Sequence, residues 1–100
     1  MLFHVTMTHD ADDCPAYHSE KTPAFIASVE KLEGLGQELN VKAHSVLWGA
    51  PDHIAFAVLE ADSLNAVARY LNSIAITQDF RITPVRNVSE VVAFAKTLQR

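Results

Sequence analysis

Six consecutive apolar residues at positions 54–59 constrain the fold of this chain more than any other feature of its sequence. The run is far shorter than the roughly 20 residues that span a bilayer, and its length is typical of a β-strand. Alternate side chains of a strand point to opposite faces of a sheet. Ile54, Phe56 and Val58 therefore share one face, whereas Ala55 and its alternate neighbours share the other. Because both faces are apolar, both must be covered.

The periodicity of the remaining chain predicts further strands and helices around this run. Strands are expected at residues 2–8, 41–48, 53–60 and 79–85. A helix is expected over 22–36, capped by Thr22 and closed by Gly34 or Gly36, and two more should follow the caps Ser63 and Ser89. The order β-α-β-β-α-β-α predicts a single α+β domain over residues 1–100. Its class is ferredoxin-like βαββαβ with an extra C-terminal helix.

Such a fold places two helices on one face of a four-stranded antiparallel sheet, with Pro84 favouring an edge position for the last strand. The second apolar face needs another cover, and a second copy of the sheet would supply it. A chain of 100 residues has little interior for a cavity of its own. The sequence therefore predicts a homodimer or higher homo-oligomer, with a small-molecule pocket shared by two chains. The small Ala55 and Ala57 are expected to leave room for a ligand in that shared layer.

The charge of the chain excludes some classes of partner. Eight Lys and Arg stand against twelve Asp and Glu, for a formal net charge of −4, and the basic residues are spread singly. Nucleic-acid binding needs clustered basic residues, so no nucleic-acid partner is expected. The sequence contains no apolar run long enough for a membrane span and no signal-peptide pattern at Met1. We expect a soluble cytoplasmic protein in which the single cysteine is free of internal disulfides.

The first 20 residues concentrate the chemistry-bearing side chains. They hold three of the five histidines, the single cysteine and four acidic residues, without one Lys or Arg. If Cys14 and Pro15 open a helical turn, Cys14 and His18 share a face and His9 joins them from the end of the first strand. Neighbouring carboxylates disfavour a thiolate nucleophile but attract a cation. The metal ligands predicted are thus His9, Cys14 and His18; a redox thiol and an acidic loop without bound metal are the alternatives.

The expected cofactor is a divalent transition metal such as zinc, copper, nickel or iron, and otherwise none. Two further histidines, His4 and His44, fall within predicted strands. An imidazole on an apolar sheet is either a hydrogen-bonded structural group or a general acid or base. We select His4 and His44 as the catalytic candidates. His53 stands beside the turn before the apolar run and is expected to be exposed to solvent.

Two short stretches carry a resemblance to a known family. Met1-Leu2-Phe3-His4-Val5-Thr6-Met7 resembles the first strand of muconolactone isomerases, and Asp79-Phe80-Arg81-Ile82-Thr83-Pro84-Val85 resembles their last strand. Between them, Leu47-Trp48-Gly49 and Glu60-Ala61-Asp62-Ser63 also resemble that family and the broader dimeric α+β barrel group. The resemblance implies a ferredoxin-like protomer whose sheet stacks on a partner's, with the active site in the barrel pocket.

For activity, the resemblance implies cofactor-free proton transfer beside a carbonyl or lactone, with His4 lining the pocket. The loop of residues 12–18 departs from the isomerase pattern, so the sequence leaves the function open. One hypothesis is a metal-binding or metal-dependent small-molecule protein; another is a cofactor-independent isomerase or lyase that uses histidine; a third is a plain ligand-binding or interaction module. Whether the protein is an enzyme stays undecided at this point.

Overall fold

A computed structural model describes residues 1–99 of the chain. Four strands and four helices follow one another along it, with a single 3₁₀ turn at Ala11–Asp13 after the first strand. The elements are β1 (Leu2–Thr8), α1 (Thr22–Glu30), α2 (Leu32–Leu39), β2 (Lys42–Trp48), β3 (Ile54–Glu60), α3 (Leu64–Asn72), β4 (Asp79–Val85) and α4 (Val88–Thr97). Among these residues no helix combines the length and the hydrophobicity that crossing a membrane requires.

The four strands form one antiparallel sheet in the order β2-β3-β1-β4. This order and the βαββαβ succession confirm the ferredoxin-like α+β fold that the sequence predicts. β4 lies at an edge, which accommodates Pro84 because that residue has no N–H for a second neighbouring strand. β2 lies at the other edge, and its pairing with β3 is interrupted by a bulge between Ala43 and Ser45.

The two faces of the sheet differ sharply in burial. On the face covered by helices, Phe3, Val5 and Met7 of β1 pack beside Ala57 and Leu59 of β3, and all five are buried. On the opposite face, which we call the open face, the alternate residues of the same strands are only half-buried. These are Leu2, His4, Thr6, Ile54, Phe56 and Val58. The alternation predicted from the sequence is confirmed, but Ala55 and Ala57 lie under the helices and leave no space on the open face.

The helix expected over residues 22–36 is in fact two helices, α1 and α2, which meet at Lys31. Neither glycine ends the helix. A Cβ on Gly36 would lie 2.7 Å from the carbonyl oxygen of Val41, so glycine is needed there for close packing against the following chain. The reversal occurs instead at Asn40, whose φ of 55° is in the left-handed region that asparagine tolerates.

The other two helices begin close to the predicted caps. Ser63 caps α3 as expected, since its hydroxyl accepts a hydrogen bond of 3.1 Å from the backbone N–H of Ala66. α4 begins at Val88 behind Asn87, so Ser89 lies within its first turn and is not the cap. Every residue of α4 is exposed, and the molecule measures 62, 30 and 17 Å along its three principal axes.

Candidate metal centre

Strand register brings two histidines from distant parts of the sequence face to face. β1 and β3 pair from Leu2 opposite Glu60 to Thr8 opposite Ile54, and one further step along this register sets His9 opposite His53. The backbone N–H of His9 donates to the carbonyl of His53 at 3.2 Å. Thr8 and Ile54 lie on the open face. Their neighbours His9, which follows Thr8, and His53, which precedes Ile54, therefore point to the side of the sheet that the helices cover. There His53 Nδ1 and His9 Nε2 are hydrogen-bonded at 3.3 Å.

Cys14 reaches this pair from the loop after β1. The 3₁₀ turn closes on Cys14, whose N–H donates to the carbonyl of Ala11 at 3.2 Å. Lys21 holds the same loop from outside, since its Nζ donates to the carbonyl of Asp12 at 2.6 Å. The thiol of Cys14 is buried, with 2% of the residue exposed. Its Sγ and one nitrogen each of His9 and His53 all lie within 4.8 Å of one another.

The arrangement around Cys14 differs from the helical turn expected from the sequence. The 3₁₀ helix precedes Cys14, and the residues that follow form turns rather than an α-helix. His18 therefore does not share a helical face with Cys14. Its Nε2 is 3.1 Å from the carbonyl oxygen of Ala11, and its Nδ1 is 3.6 Å from a carboxylate oxygen of Glu20. The structure brings His9 and Cys14 together with His53 and leaves His18 in the framework of the loop.

Aromatic rings surround the two imidazoles. The ring of Trp48 lies 5.2 Å from that of His9, and Tyr17 meets His53 edge-on at 5.1 Å between ring centres. Phe25 in α1 in turn meets Trp48 edge-on at 6.0 Å. These rings fix the imidazole orientations by packing.

Burial and charge act on His9 in opposite senses. The residue is 8% exposed, and its desolvation, followed by the neighbouring His53, lowers the pKa of the imidazole below its ordinary value. Asp13 and Asp10 raise that pKa but contribute less. The net lowering favours the neutral imidazole, which is the form that coordinates metals.

A polar cavity of about 270 Å³ opens beside His9. It is lined by Thr8, His9, Asp10, Asp13, Thr77, Gln78 and Asp79. Three of these side chains are carboxylates, and one of them, Asp13, pairs with the ammonium of Lys21 at 3.7 Å. A cleft lined by carboxylates attracts cations, and His9 forms part of its wall.

The two strand histidines lie apart from this cluster. His4 is half-buried on the open face, where its ring centre is 6.2 Å from that of Phe56. His44 is exposed on edge strand β2, and its Nε2 lies 2.9 Å from Glu60 Oε1. The hydrogen bond from His44 lowers the pKa of the Glu60 carboxyl below its ordinary value. The structure therefore places the five candidate residues in four separate surroundings: the cluster, the loop framework, the open face and the β2 edge.

His53 is the residue that the sequence analysis placed wrongly. It is half-buried rather than exposed, because the pairing of β1 with β3 draws the residue before β3 under the loop that carries Cys14. A signal was present in the sequence. A ferredoxin-like sheet pairs the first strand with the third in antiparallel fashion, so the start of the strand predicted over 53–60 lies near the end of the strand predicted over 2–8.

The fold and the site define an α+β protein of the ferredoxin-like type with a histidine–cysteine cluster at one end of its sheet. The chain belongs to the family described as domain of unknown function (DUF3303), whose model matches residues 1–99. No curated protein matches the chain in sequence.

Solved structures include similar folds. A crystal structure of muconolactone isomerase matches at a TM-score of 0.57 with 20% sequence identity over 87% of this chain and 90% of that one. A structural-genomics protein from Agrobacterium tumefaciens matches at a TM-score of 0.49 with 14% identity over 87% and 95% of the two chains. The muconolactone isomerase match agrees with the resemblance seen in the sequence, and at this identity it establishes the fold alone.

Proposed function

We propose that this protein binds a divalent transition metal between His9, Cys14 and His53 and presents it to a small molecule. The proposal rests on the convergence of two imidazole nitrogens and one thiol sulfur within 4.8 Å, where His9 and Cys14 are buried and His53 is half-buried. His9 and Cys14 belong to the set predicted from the sequence; His53 replaces His18. The proposed cofactor is of the class expected from the sequence, and the proposed ligand set has His53 in the place of His18.

The separation of the two nitrogens fits a tetrahedral metal. Zinc–nitrogen bonds are about 2.0–2.1 Å, so two nitrogens 3.3 Å apart subtend an angle of about 107° at the ion. The same geometry needs a sulfur about 3.6 Å from each nitrogen, given a zinc–sulfur bond of about 2.3 Å. The thiol must therefore approach by about 1 Å at most.

Three protein ligands leave a fourth position of a tetrahedral ion for water or a substrate atom. A thiolate with two imidazoles suits zinc and copper better than magnesium or calcium, which prefer oxygen. An ion held in this way polarises a bound carbonyl or lowers the pKa of a bound water. The cytoplasm is the compartment that we propose, because a reducing environment keeps the single thiol available to the metal.

The open face supports a homodimer as the working form of this single domain. Leu2, Ile54, Phe56 and Val58 form an apolar layer that the chain leaves half-buried. Two such layers stacked face to face would cover each other, as in aligned sheet packing. The sheet then becomes the interior of a two-chain assembly, with the metal centres at the ends of the strands.

Proton transfer by His4 is the second candidate function. It is favoured by the position of His4, which lies on the open face beside Phe56 and would be enclosed by a second sheet. An imidazole in such a place is a general acid or base without need of a cofactor. Turnover of an unsaturated lactone that His4→Ala abolishes and His44→Ala reduces would support it. A wild-type protein that leaves such lactones unchanged excludes this substrate class.

Metal binding is tested by elemental analysis of protein purified without a polyhistidine tag, followed by titration with cobalt, zinc and copper. We expect close to one ion per chain, and a cobalt complex with visible d–d bands and a near-ultraviolet thiolate charge-transfer band. Cys14→Ser should remove the charge-transfer band. Stoichiometric binding with that band unchanged in Cys14→Ser would overturn the proposed ligand set, and failure of all three metals to bind would overturn the metal function.

A further inference from the structure

The C-terminal helix α4 presents an apolar surface that its own chain does not cover. Val88, Val91, Ala95 and Leu98 recur at helical spacing on one side, with Phe94 beside them. Val88 is 76% exposed, Phe94 60% and Leu98 66%. Ser89, Glu90 and Lys96 lie toward the other side. A helix with this pattern normally packs its apolar stripe against another surface.

A matching apolar groove lies at the opposite edge of the sheet. We call it the β2 groove; it consists of two adjoining cavities between β2 and the helices α1 and α2, which share Val29, Leu32 and Val46 as lining residues. One of the two is also lined by the polar residues Glu33, Gln37, Asn40 and Lys42. Trp48 and Phe25 stand at one end, next to the metal centre. Val46 is 53% exposed because the helices do not reach over this edge strand. Seven strand residues extend about 23 Å, which accommodates the roughly 15 Å of a ten-residue helix.

The chain cannot bring its own α4 to its own β2 groove in the observed arrangement. α4 leaves β4, and the order β2-β3-β1-β4 puts β4 three strand spacings, about 14 Å, from β2. Moreover, every residue of α4 is exposed in the observed arrangement. The chain thus carries a free apolar helix at one edge and a free apolar groove at the other.

We propose that α4 of one copy docks in the β2 groove of a second copy, and that the exchange is mutual. This inference rests on the homodimer proposed above. Val85 at the end of β4 belongs to the open face, so α4 continues directly from the surface that the sheets would share. A two-fold related partner that sets its β4 edge beside β2 delivers its α4 to the groove, and symmetry returns the other α4.

The exchange would also enclose the metal centre on the side of Trp48. Trp48 contacts His9 on one side and lines the β2 groove on the other. A partner helix in the groove would cover the exposed part of this indole and narrow the approach to the ion from that side. The small molecule held at the fourth metal position would then be enclosed by both chains, so each site is complete only in the dimer.

Photo-crosslinking of the full-length chain tests the docking. p-Benzoylphenylalanine in place of Phe94 should give a covalent species of twice the chain mass after irradiation. Its cross-linked peptides should map to residues 25–32 or 42–48. The same photoreactive residue in place of Ala93, on the polar side of α4, is the matched control and should give at least fivefold less of this product. A cross-link within one chain, or between chains at another surface, overturns the proposal, as does equal yield from both positions.

A charge placed on the stripe offers an independent measurement. Phe94→Glu should raise the dimer dissociation constant at least tenfold by sedimentation velocity, and Val46→Glu in the groove should do the same. Ala93→Glu adds equal charge on the polar side and should change it less than threefold. Equal effects of Phe94→Glu and Ala93→Glu would contradict specific docking. These substitutions leave the metal ligands intact. If the protein binds metal but the dissociation constants do not change as expected, only the exchange of α4 is overturned and the proposed metal function stands.

Discussion

The segment after β1 and the segment after β4 differ in how far their apolar side chains are buried. The loop after β1 folds back on its own sheet, so that Cys14 is buried and His9 is buried beside the ring of Trp48. The helix after β4 leaves Val88, Phe94 and Leu98 in solvent. Both segments have side chains that gain from burial, yet only the first finds a surface within reach. The contrast shows that the local sequence pattern determines which side chains would gain from burial. The order of the strands determines whether the same chain can bury them.

The largest expected effect compares one substitution in the two environments. Leu59→Ala removes a fully buried side chain from the core and should lower the free energy of unfolding by about 3 kcal/mol. Leu98→Ala removes the same atoms from α4 and should cost less than about 0.5 kcal/mol in dilute protein, where copies are separate. Urea denaturation at two protein concentrations measures both. A Leu98→Ala cost that matches Leu59→Ala in dilute protein would show that α4 packs on its own chain.

The second prediction concerns the open face. Phe56→Lys places an ammonium in the layer that two sheets would share, and an unpaired charge is costly to bury. The dimer dissociation constant should rise about a hundredfold, equivalent to about 2.7 kcal/mol. Ala27→Lys on the exposed side of α1 is the control with the same charge, and it should leave the constant within threefold. Light scattering of both variants decides whether the open face is the interface.

The third prediction separates the ligand set of the structure from that of the sequence. His53→Ala removes one nitrogen donor and should weaken metal binding by about 10- to 100-fold, or about 1.4–2.7 kcal/mol. His18→Gln keeps an amide near the Ala11 carbonyl and should change affinity less than threefold. Competition with a chromophoric chelator gives both constants. The reverse order of effects would restore His18 as the ligand.

The smallest effect follows from the lowered pKa of His9. The folded state keeps this imidazole neutral to a lower pH than the unfolded chain, whose histidines titrate near 6.5. Below pH 6.5 the unfolded state therefore binds more protons, and the free energy of unfolding should fall with pH until the folded imidazole is also protonated. Urea denaturation of metal-free protein between pH 7.5 and 5 measures the slope. His9→Asn should flatten it; an unchanged slope assigns the dependence to another group.

Much of the fold was predictable because it follows from short-range periodicity. The residues that face the helices and the open face were separable by alternation alone, and β4 matched its predicted bounds at Asp79–Val85. The break at Lys31 was not predictable in this way. Both sides of the break continue one helical stripe, so the periodicity predicts a single helix where the structure has two.

The candidate site was half predictable. His9 and Cys14 stand out because they share an acidic segment without a basic residue in the first 20 positions. His53 lies 44 positions from His9, and a pair that distant comes together only through strand pairing. His18 was favoured by an assumed helical spacing, yet the loop forms a 3₁₀ turn before Cys14 and ordinary turns after it.

The sequence by itself determined which residues of a strand share a face, the succession of strands and helices, and the concentration of histidine, cysteine and acidic side chains near the N-terminus. These depend on neighbours within a few positions, where backbone geometry repeats every two residues or every 3.6. Only the tertiary structure decided that His53 joins His9 and Cys14, and that α4 lies out of reach of the groove it matches. Both outcomes depend on the order and register of strands, which join residues by hydrogen bonds across the sheet rather than by position along the chain.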